Sequence, residues 1–403
     1  MRPIRTLRLG ATPNCSSLGN VLNVLLWTQA TVAAIWVAAE SWEARRRRPE
    51  PDGGETRRVD DPPALVRTGE GGGPLEAHVQ ITSACTLPCP ACYMDTAAEG
   101  PHVPVATLQE RLKALADQGV LRVAFGGGEV LRHPDLPRIA ALARAAGLSP
   151  GTTTSGAGPT EALDAFDQVN VSLDGLGEVY RRARGYAGDE AALATIRRLA
   201  ARGVRVGVNV VLDRDTLPAL GETVAAAAAA GATEIQLLRL KPAGRARDTY
   251  TDRRLTPAQG ESLWPQVQGL MARHPTLTFR IDCALVPFLA AHRVDPERLR
   301  AFAFWGCHGG DELVSMDPAG QLHPCSFFAG PVDERWRTGV AAEPCRSCDY
   351  HDTCRGGCHV VAAHLTGETF APDPECPLVY AAAAQTPSPQ TPAPEVHGPG
   401  AAA

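Results

Sequence analysis

From about residue 76 the chain alternates short apolar runs with Ala-, Leu- and Arg-rich segments of helical period. The runs predict strands over 78–82, 122–125, 168–173, 204–212, 234–240 and 277–281. The segments between them predict helices over 105–118, 135–146, 190–202, 217–230 and 257–273. Strands regularly separated by helices read as repeated βα units around a parallel sheet. About six units fit here, in fewer residues than the roughly 250 of a closed eight-unit barrel. The expected class is therefore α/β, an open partial (β/α)6 barrel over 76–285. Over 286–380 the pattern is lost, and Cys, Gly, His and Asp replace the apolar runs. Such a segment cannot build a large core and needs metal staples. Residues 381–403 carry five Pro and one acid and are expected to be a disordered tail.

Residues 1–75 follow neither rhythm. No charged side chain occurs in the 31 positions from 9 to 39. As a helix, 21–39 would reach about 28 Å, barely a hydrocarbon core, and Asn23, Thr28, Gln29 and Thr31 interrupt it. Four arginines at 45–48 would place that side in the cytoplasm, but Arg2, Arg5 and Arg8 on the other side blur the asymmetry. A membrane or amphipathic helix over 18–40 and a secretory signal are set against an N-terminal extension from an over-long gene assignment. The extension is the preferred reading. Residues 49–74 read as a Pro/Gly/charge-rich linker.

Composition changes this picture in two ways. The net charge of −5 and 5% aromatics argue against nucleic acid as a partner. Twelve cysteines are too dilute for a small disulfide scaffold. Ten of them lie in two tight clusters, the placement that metal ligation produces.

The first cluster is Cys85, Cys89 and Cys92, spaced C-x3-C-x2-C directly after the first expected strand. Three thiolates can wrap one cubane and leave its fourth iron open, whereas full structural sites use four ligands. A zinc site short of a ligand, or a set of reactive thiols, stands beside that reading. The loop lies at the carboxyl end of a strand, where parallel α/β folds bind ligands. The next strand ends in Phe125-Gly126-Gly127-Gly128-Glu129. Glycines there let the backbone approach a ligand closely, and Glu129 offers a carboxylate to an ammonium.

These residues resemble the radical SAM enzymes. The resemblance implies that Cys85, Cys89 and Cys92 hold a [4Fe–4S] cluster whose open iron chelates S-adenosylmethionine, with Gly127, Gly128 and Glu129 at the methionine amino group. This chain departs from the family pattern at Ala91, usually aromatic, and at Val130, often Pro. Tyr93 is expected to supply the aromatic wall instead. Residues 152–156 look like the family's third strand end, and 171–175 with Arg184 and Gly185 like its fourth. By that resemblance Ser172 meets the ribose and Arg184 the carboxylate of S-adenosylmethionine. An Arg fork suits a carboxylate. A solvated arginine at a helix start is the alternative for Arg184. Arg239, Lys241, Pro242, Gly244 and Arg245 resemble another family segment, without an assignable role.

The second cluster reads C-x12-G-x4-C, then C-x2-C-x5-C-x3-C, then a lone Cys. Zinc knuckles are the alternative, but they use four ligands per ion and leave this long ordered pattern unexplained. It resembles the seven-cysteine SPASM extension of radical SAM proteins. The resemblance implies two auxiliary [4Fe–4S] clusters, one on Cys307, Cys325 and Cys358, the other on Cys345, Cys348, Cys354 and Cys376. Cys283 reads first as a buried core thiol, with ligation of the three-thiol auxiliary cluster as the alternative. His308, His323, His351, His359 and His364 read as surface or hairpin side chains, and Cys15 as an incidental thiol.

The implied chemistry is reductive cleavage of S-adenosylmethionine and modification of a peptide substrate by the 5′-deoxyadenosyl radical. Ribosomal-peptide maturation, by crosslinking or oxidation, is preferred. A maturase of a folded protein of the sulfatase-maturase type, a small-metabolite enzyme and a non-catalytic metal-binding module are the rivals. The catalytic acid or base is not assigned. An external electron donor and a separate leader-peptide-binding protein are the expected partners. The compartment is expected to be the cytoplasm, since such thiols must stay reduced.

Overall fold

The computed structural model describes residues 73–301, 304–338 and 342–385. The expected N-terminal extension with its apolar run, Cys15 and most of the expected tail lie outside the described residues. The tail's first residues belong instead to a helix, Pro377–Gln385. No helix of the described residues is long and apolar enough to cross a membrane.

In chain order the barrel elements are β1 (Glu76–Thr82), α1 (Val105–Asp117), β2 (Arg122–Gly127), α2 (Leu136–Ala145), β3 (Ser149–Thr154), β4 (Gln168–Ser172), α3 (Gly177–Arg184), α4 (Asp189–Ala201), β5 (Arg205–Leu212), α5 (Leu220–Ala229), β6 (Glu234–Arg239), α6 (Ala246–Arg253), α7 (Pro257–Arg273) and β7 (Thr278–Ile281). Two further strands follow, β8 (Leu313–Met316) and β9 (Leu322–His323). The sheet order is β7-β6-β5-β4-β3-β2-β1-β8-β9. All neighbours from β7 to β8 are parallel, and β9 returns antiparallel to β8. The sheet does not close on itself, as expected of a partial barrel.

Two details differ from the sequence expectation. β3 was not among the strands expected from the apolar runs, and only the resemblance of residues 152–156 to a strand end pointed to it, so the run at 277–281 is the seventh strand rather than the sixth. The cysteine-rich segment also contributes to the barrel's own sheet, with β8 lying against β1 in the register Glu76↔Leu313 to Val79↔Met316.

Strand alternation sorts the two faces. On β1, Ala77, Val79 and Ile81 are buried in the main apolar core, together with Leu108, Leu112 and Leu115 of α1. Those helix positions fall at i, i+4 and i+7, one stripe of a 3.6-residue helix. On the other face the side chains are polar and bind one another. Arg122 donates to Gln168 Oε1 at 3.0 Å, Gln168 to Glu234 Oε1 at 2.9 Å, and Asn170 to Asn209 Oδ1 at 2.8 Å and Gln236 Oε1 at 2.9 Å. Buried amides are tolerable only when paired in this way. Helix α7 begins with a capping box, the Thr256 hydroxyl accepting from Gln259 N–H at 3.3 Å and the Gln259 side chain from Thr256 N–H at 3.0 Å.

Candidate radical site

The three-thiol loop leaves β1 at Thr82 and is held by the loops at the ends of other strands. Gly128 N–H donates to Thr82 O at 2.7 Å, and Glu129 N–H to Ala84 O at 2.9 Å. A Cβ on Gly128 would lie 2.1 Å from Ala84 O, which no real contact permits, so a side chain there would push the loop away. After β6, Arg245 N–H donates to Cys92 O at 2.9 Å, and Arg245 Nε to Cys89 O at 3.1 Å. Gly244 has φ of 54°, and a Cβ on it would sit 2.5 Å from Cys92 O. The loop is thus positioned through its backbone atoms, by contacts that do not use the thiols.

The three thiols feel one another. Burial pushes Cys85 and Cys89 up, and each is raised further by Cys92. For Cys89 the neighbouring Arg184 works against burial. Cys92 is also pushed up by burial, but the amide hydrogens of Thr96 and Met94 prevail and hold it below the usual thiol range. Thiolates are the ligating form.

Arg184 is neither solvated nor at a helix start. It is the last residue of α3, and its Nε lies 2.5 Å from Asp174 Oδ2, the two side chains being 17% and 6% exposed. Asp174 also accepts Val211 N–H at 2.7 Å. Burial raises the Asp174 carboxyl, with Arg184 opposing. The Arg184 guanidinium therefore stands between a buried carboxylate and Cys89. Ser172 is buried at the end of β4, in register with Asn209 on β5.

The Glu129 carboxylate is held in place by four protein donors. Its Oε1 accepts from Thr154 Oγ1 at 2.6 Å and from Leu131 N–H at 3.3 Å. Its Oε2 accepts from Ser155 N–H at 2.8 Å and Ser155 Oγ at 2.6 Å. An ammonium arriving here meets the carboxylate together with the Thr154 and Ser155 hydroxyl oxygens, two partners to which the sequence reading gave no role.

Tyr93 extends this site toward the second cysteine cluster. Burial pushes its phenol up to about 12, and its ring lies 4.8 Å from that of Phe327. The Phe327 ring in turn lies 4.4 Å below Lys241 Nζ, which contacts Asp282. Phe327 is two residues beyond Cys325.

The eleven described cysteines are all free. In the extension they fall into two groups. Cys307 is pushed up to about 12 by burial, then by Cys325 and Cys358. Cys345 is pushed up to about 12 by burial, then by Cys376 and Cys348. Cys345, Cys348, Cys354 and Cys376 wall a single cavity beside Pro287 and Ala290. Among the described residues no three Cys, His, Asp or Glu side chains close to the spacing of one metal ion; a cubane seats each thiolate on its own iron. Of the histidines, His359 is held down to about 4 by burial and packs against Trp336 and Phe370.

The family model for the radical SAM superfamily matches residues 79–226. A PqqA peptide cyclase from Ruegeria pomeroyi is 30% identical over 336 residues, covering 75% of this chain and 87% of that protein. The chain belongs to the radical SAM superfamily. A second relative of this radical SAM enzyme is the mycofactocin maturase MftC of Mycobacterium ulcerans, 28% identical over 368 residues, 83% of this chain and 96% of that one. Streptococcus suis SuiB, in its crystal structure bound to precursor peptide SuiA, shares the fold with a TM-score of 0.61 at 17% identity, over 75% of this chain and 76% of SuiB.

The superfamily's cofactors are a [4Fe–4S] cluster and S-adenosylmethionine, and the first loop fits them. It brings three thiols together at the strand ends, holds one of them toward the thiolate, and sets a carboxylate and a guanidinium close by. Glu129→Ala is expected to weaken S-adenosylmethionine binding by roughly 10- to 100-fold, the loss of one charge-assisted contact, with iron content unchanged. Calorimetric titration of the anaerobic protein measures it, and an unaltered affinity would place the amino group elsewhere.

Proposed function

We propose that this chain is a peptide-modifying radical SAM enzyme carrying two auxiliary clusters besides the one that binds S-adenosylmethionine. The observation that carries the peptide reading is the near full-length match to two relatives, a peptide cyclase and a maturase. The open barrel supports it, since strand ends on an unclosed sheet leave room for an extended chain. When bound, the first cluster and S-adenosylmethionine supply a 5′-deoxyadenosyl radical, consuming one electron from an external low-potential donor and releasing methionine.

The residues around it have separable tasks. Cys85, Cys89 and Cys92 ligate the first cluster. Glu129, with Gly127 and Gly128 shaping its loop, receives the amino group, Arg184 the carboxylate and Ser172 the ribose. Tyr93 walls the cofactor and, through Phe327, separates it from the auxiliary side. In the extension, residues 286–380, Cys307, Cys325 and Cys358 serve the first auxiliary cluster. Cys345, Cys348, Cys354 and Cys376 serve the second. So many thiols require a reducing compartment, hence the cytoplasm. A separate protein that binds the leader segment completes the reading.

The test is anaerobic turnover with S-adenosylmethionine, a low-potential reductant and the product of a short reading frame beside the gene. The expected result is 5′-deoxyadenosine in step with a peptide lighter by two hydrogens. Turnover stimulated only by a folded protein or by a small metabolite would replace the peptide reading.

A further inference from the structure

Cys283 is a half-buried barrel thiol outside the S-adenosylmethionine site, its Sγ donating to Asp282 Oδ1 at 3.3 Å. It directly follows β7 and opens a short 3-10 turn, Cys283–Leu285, capped by Asp282. Three separate contacts tie this turn to the first auxiliary thiols. Arg239 Nη1 donates to Ala284 O at 3.0 Å and to Asp373 Oδ2 at 2.6 Å. The same Asp373 oxygen accepts Cys358 N–H at 3.0 Å. One guanidinium and one carboxylate therefore hold the backbones that carry Cys283 and Cys358. On the other side, Lys241 Nζ contacts Asp282 and lies over Phe327, two residues from Cys325. Ala284, Cys358 and Cys325 also pack in one apolar cluster.

The thiol itself is in the same field. Burial raises Cys283 well above the usual thiol range; Asp282 and then Cys307 raise it further, Lys241 opposes them, and Cys358 adds a smaller push upward. Without Cys283 the first auxiliary group has three thiols, against four in the second. Four thiolates complete a cubane that takes no other ligand.

We propose that Cys283, supplied by the barrel, is the fourth ligand of the first auxiliary cluster, which then has no open iron for substrate. This rests on the reading that Cys307, Cys325 and Cys358 hold a cluster. It gives that cluster a fastening role as well, because its ligands come from both β7 and the extension. Substrate would have to react beside this cluster rather than bound to it.

The test uses the full-length chain with Cys85, Cys89 and Cys92 replaced by Ala, so that only auxiliary iron remains, about eight per chain. Electron paramagnetic resonance of the reduced protein is recorded with and without cyanide, a ligand for open iron sites. The parent spectrum is expected to ignore cyanide. Adding Cys283→Ala should make the first auxiliary signal cyanide-sensitive or remove part of its iron. Cys283→Ser, which preserves the fold and offers an oxygen, should keep the iron and shift the signal. A parent spectrum that already responds to cyanide, or Cys283 variants that match the parent in iron and signal, would overturn the proposal. A separate arm, Cys307→Ala with Cys325→Ala, guards the underlying reading: if iron stays at about eight, no cluster sits there and the functional reading fails on its own account.

Discussion

The variant with Cys85, Cys89 and Cys92 all replaced by Ala is expected to form no 5′-deoxyadenosine while retaining about two thirds of the iron, eight atoms of a full twelve. The structure separates these two outcomes. The loop's position comes from Gly128 N–H on Thr82 O, Glu129 N–H on Ala84 O and the Arg245 contacts to Cys89 O and Cys92 O, none of which uses a thiol. Removing three sulfurs therefore takes away the ligands and leaves the scaffold. The extension keeps its own seven thiols, grouped away from this loop. Iron analysis and chromatography of the nucleoside product check both halves. A variant that still cleaves S-adenosylmethionine would show that the radical site lies elsewhere, and one that loses all iron would show that the three sites load as a unit.

The parts of this architecture that were legible in the sequence are those whose physics is periodic or chemical. Apolar stripes gave α1, α2, α4, α5 and α7 nearly to the residue. Thiols at short spacing stood out because few other structures need them. β3 escaped the apolar pattern, and was signalled only by the resemblance of 152–156, because SPGTTT has no strongly apolar side chain. Its burial is satisfied through hydroxyls, Thr152 donating to Phe125 O at 3.0 Å and Thr154 to Glu129. The helix α3 buries only Tyr180 and Ala183, and α6 only Ala246 and Tyr250, too few for a stripe. Partners of buried charges were hidden for another reason. Asp174 sits at an expected strand end and Asp373 in the cysteine-rich segment, and the cation that makes Asp373 tolerable is 134 residues away. Such a pairing has no local signature. Likewise nothing in LVSM marks β8 as a neighbour of β1.

That distant pairing should dominate the stability of the junction between β6 and the cysteine-rich segment. Arg239 is 3% exposed and Asp373 fully buried. The guanidinium donates to both Asp373 oxygens, at 2.6 and 3.1 Å, and to Glu375 Oε2 at 2.6 Å, and stacks 5.0 Å from the Phe288 ring. Burial works to strip its charge, but the attraction of Asp373 prevails and raises it well above the ordinary arginine value. Arg239→Met keeps much of the volume and removes the charge. Glu375 would still have Tyr250 OH at 2.9 Å and Arg254 at 2.8 Å. Asp373 would be left with two backbone amides, Cys358 N–H and Glu375 N–H. Breaking one side of a buried ion pair costs about 3–5 kcal/mol, against about 5–15 kcal/mol of total stability for a typical domain. Because Asp373 also fixes the Cys358 backbone and its carbonyl accepts Cys376 N–H at 3.0 Å, the damage should reach both auxiliary thiol groups. The expected result is a lower thermal midpoint and loss of auxiliary iron, with S-adenosylmethionine binding kept in the protein that remains folded. Adding Asp373→Asn should recover part of the loss, since a neutral amide no longer needs the cation. If Arg239→Met alone matches the parent in midpoint and iron, the buried pair does not hold the junction, and the extension is anchored by the β1–β8 pairing instead.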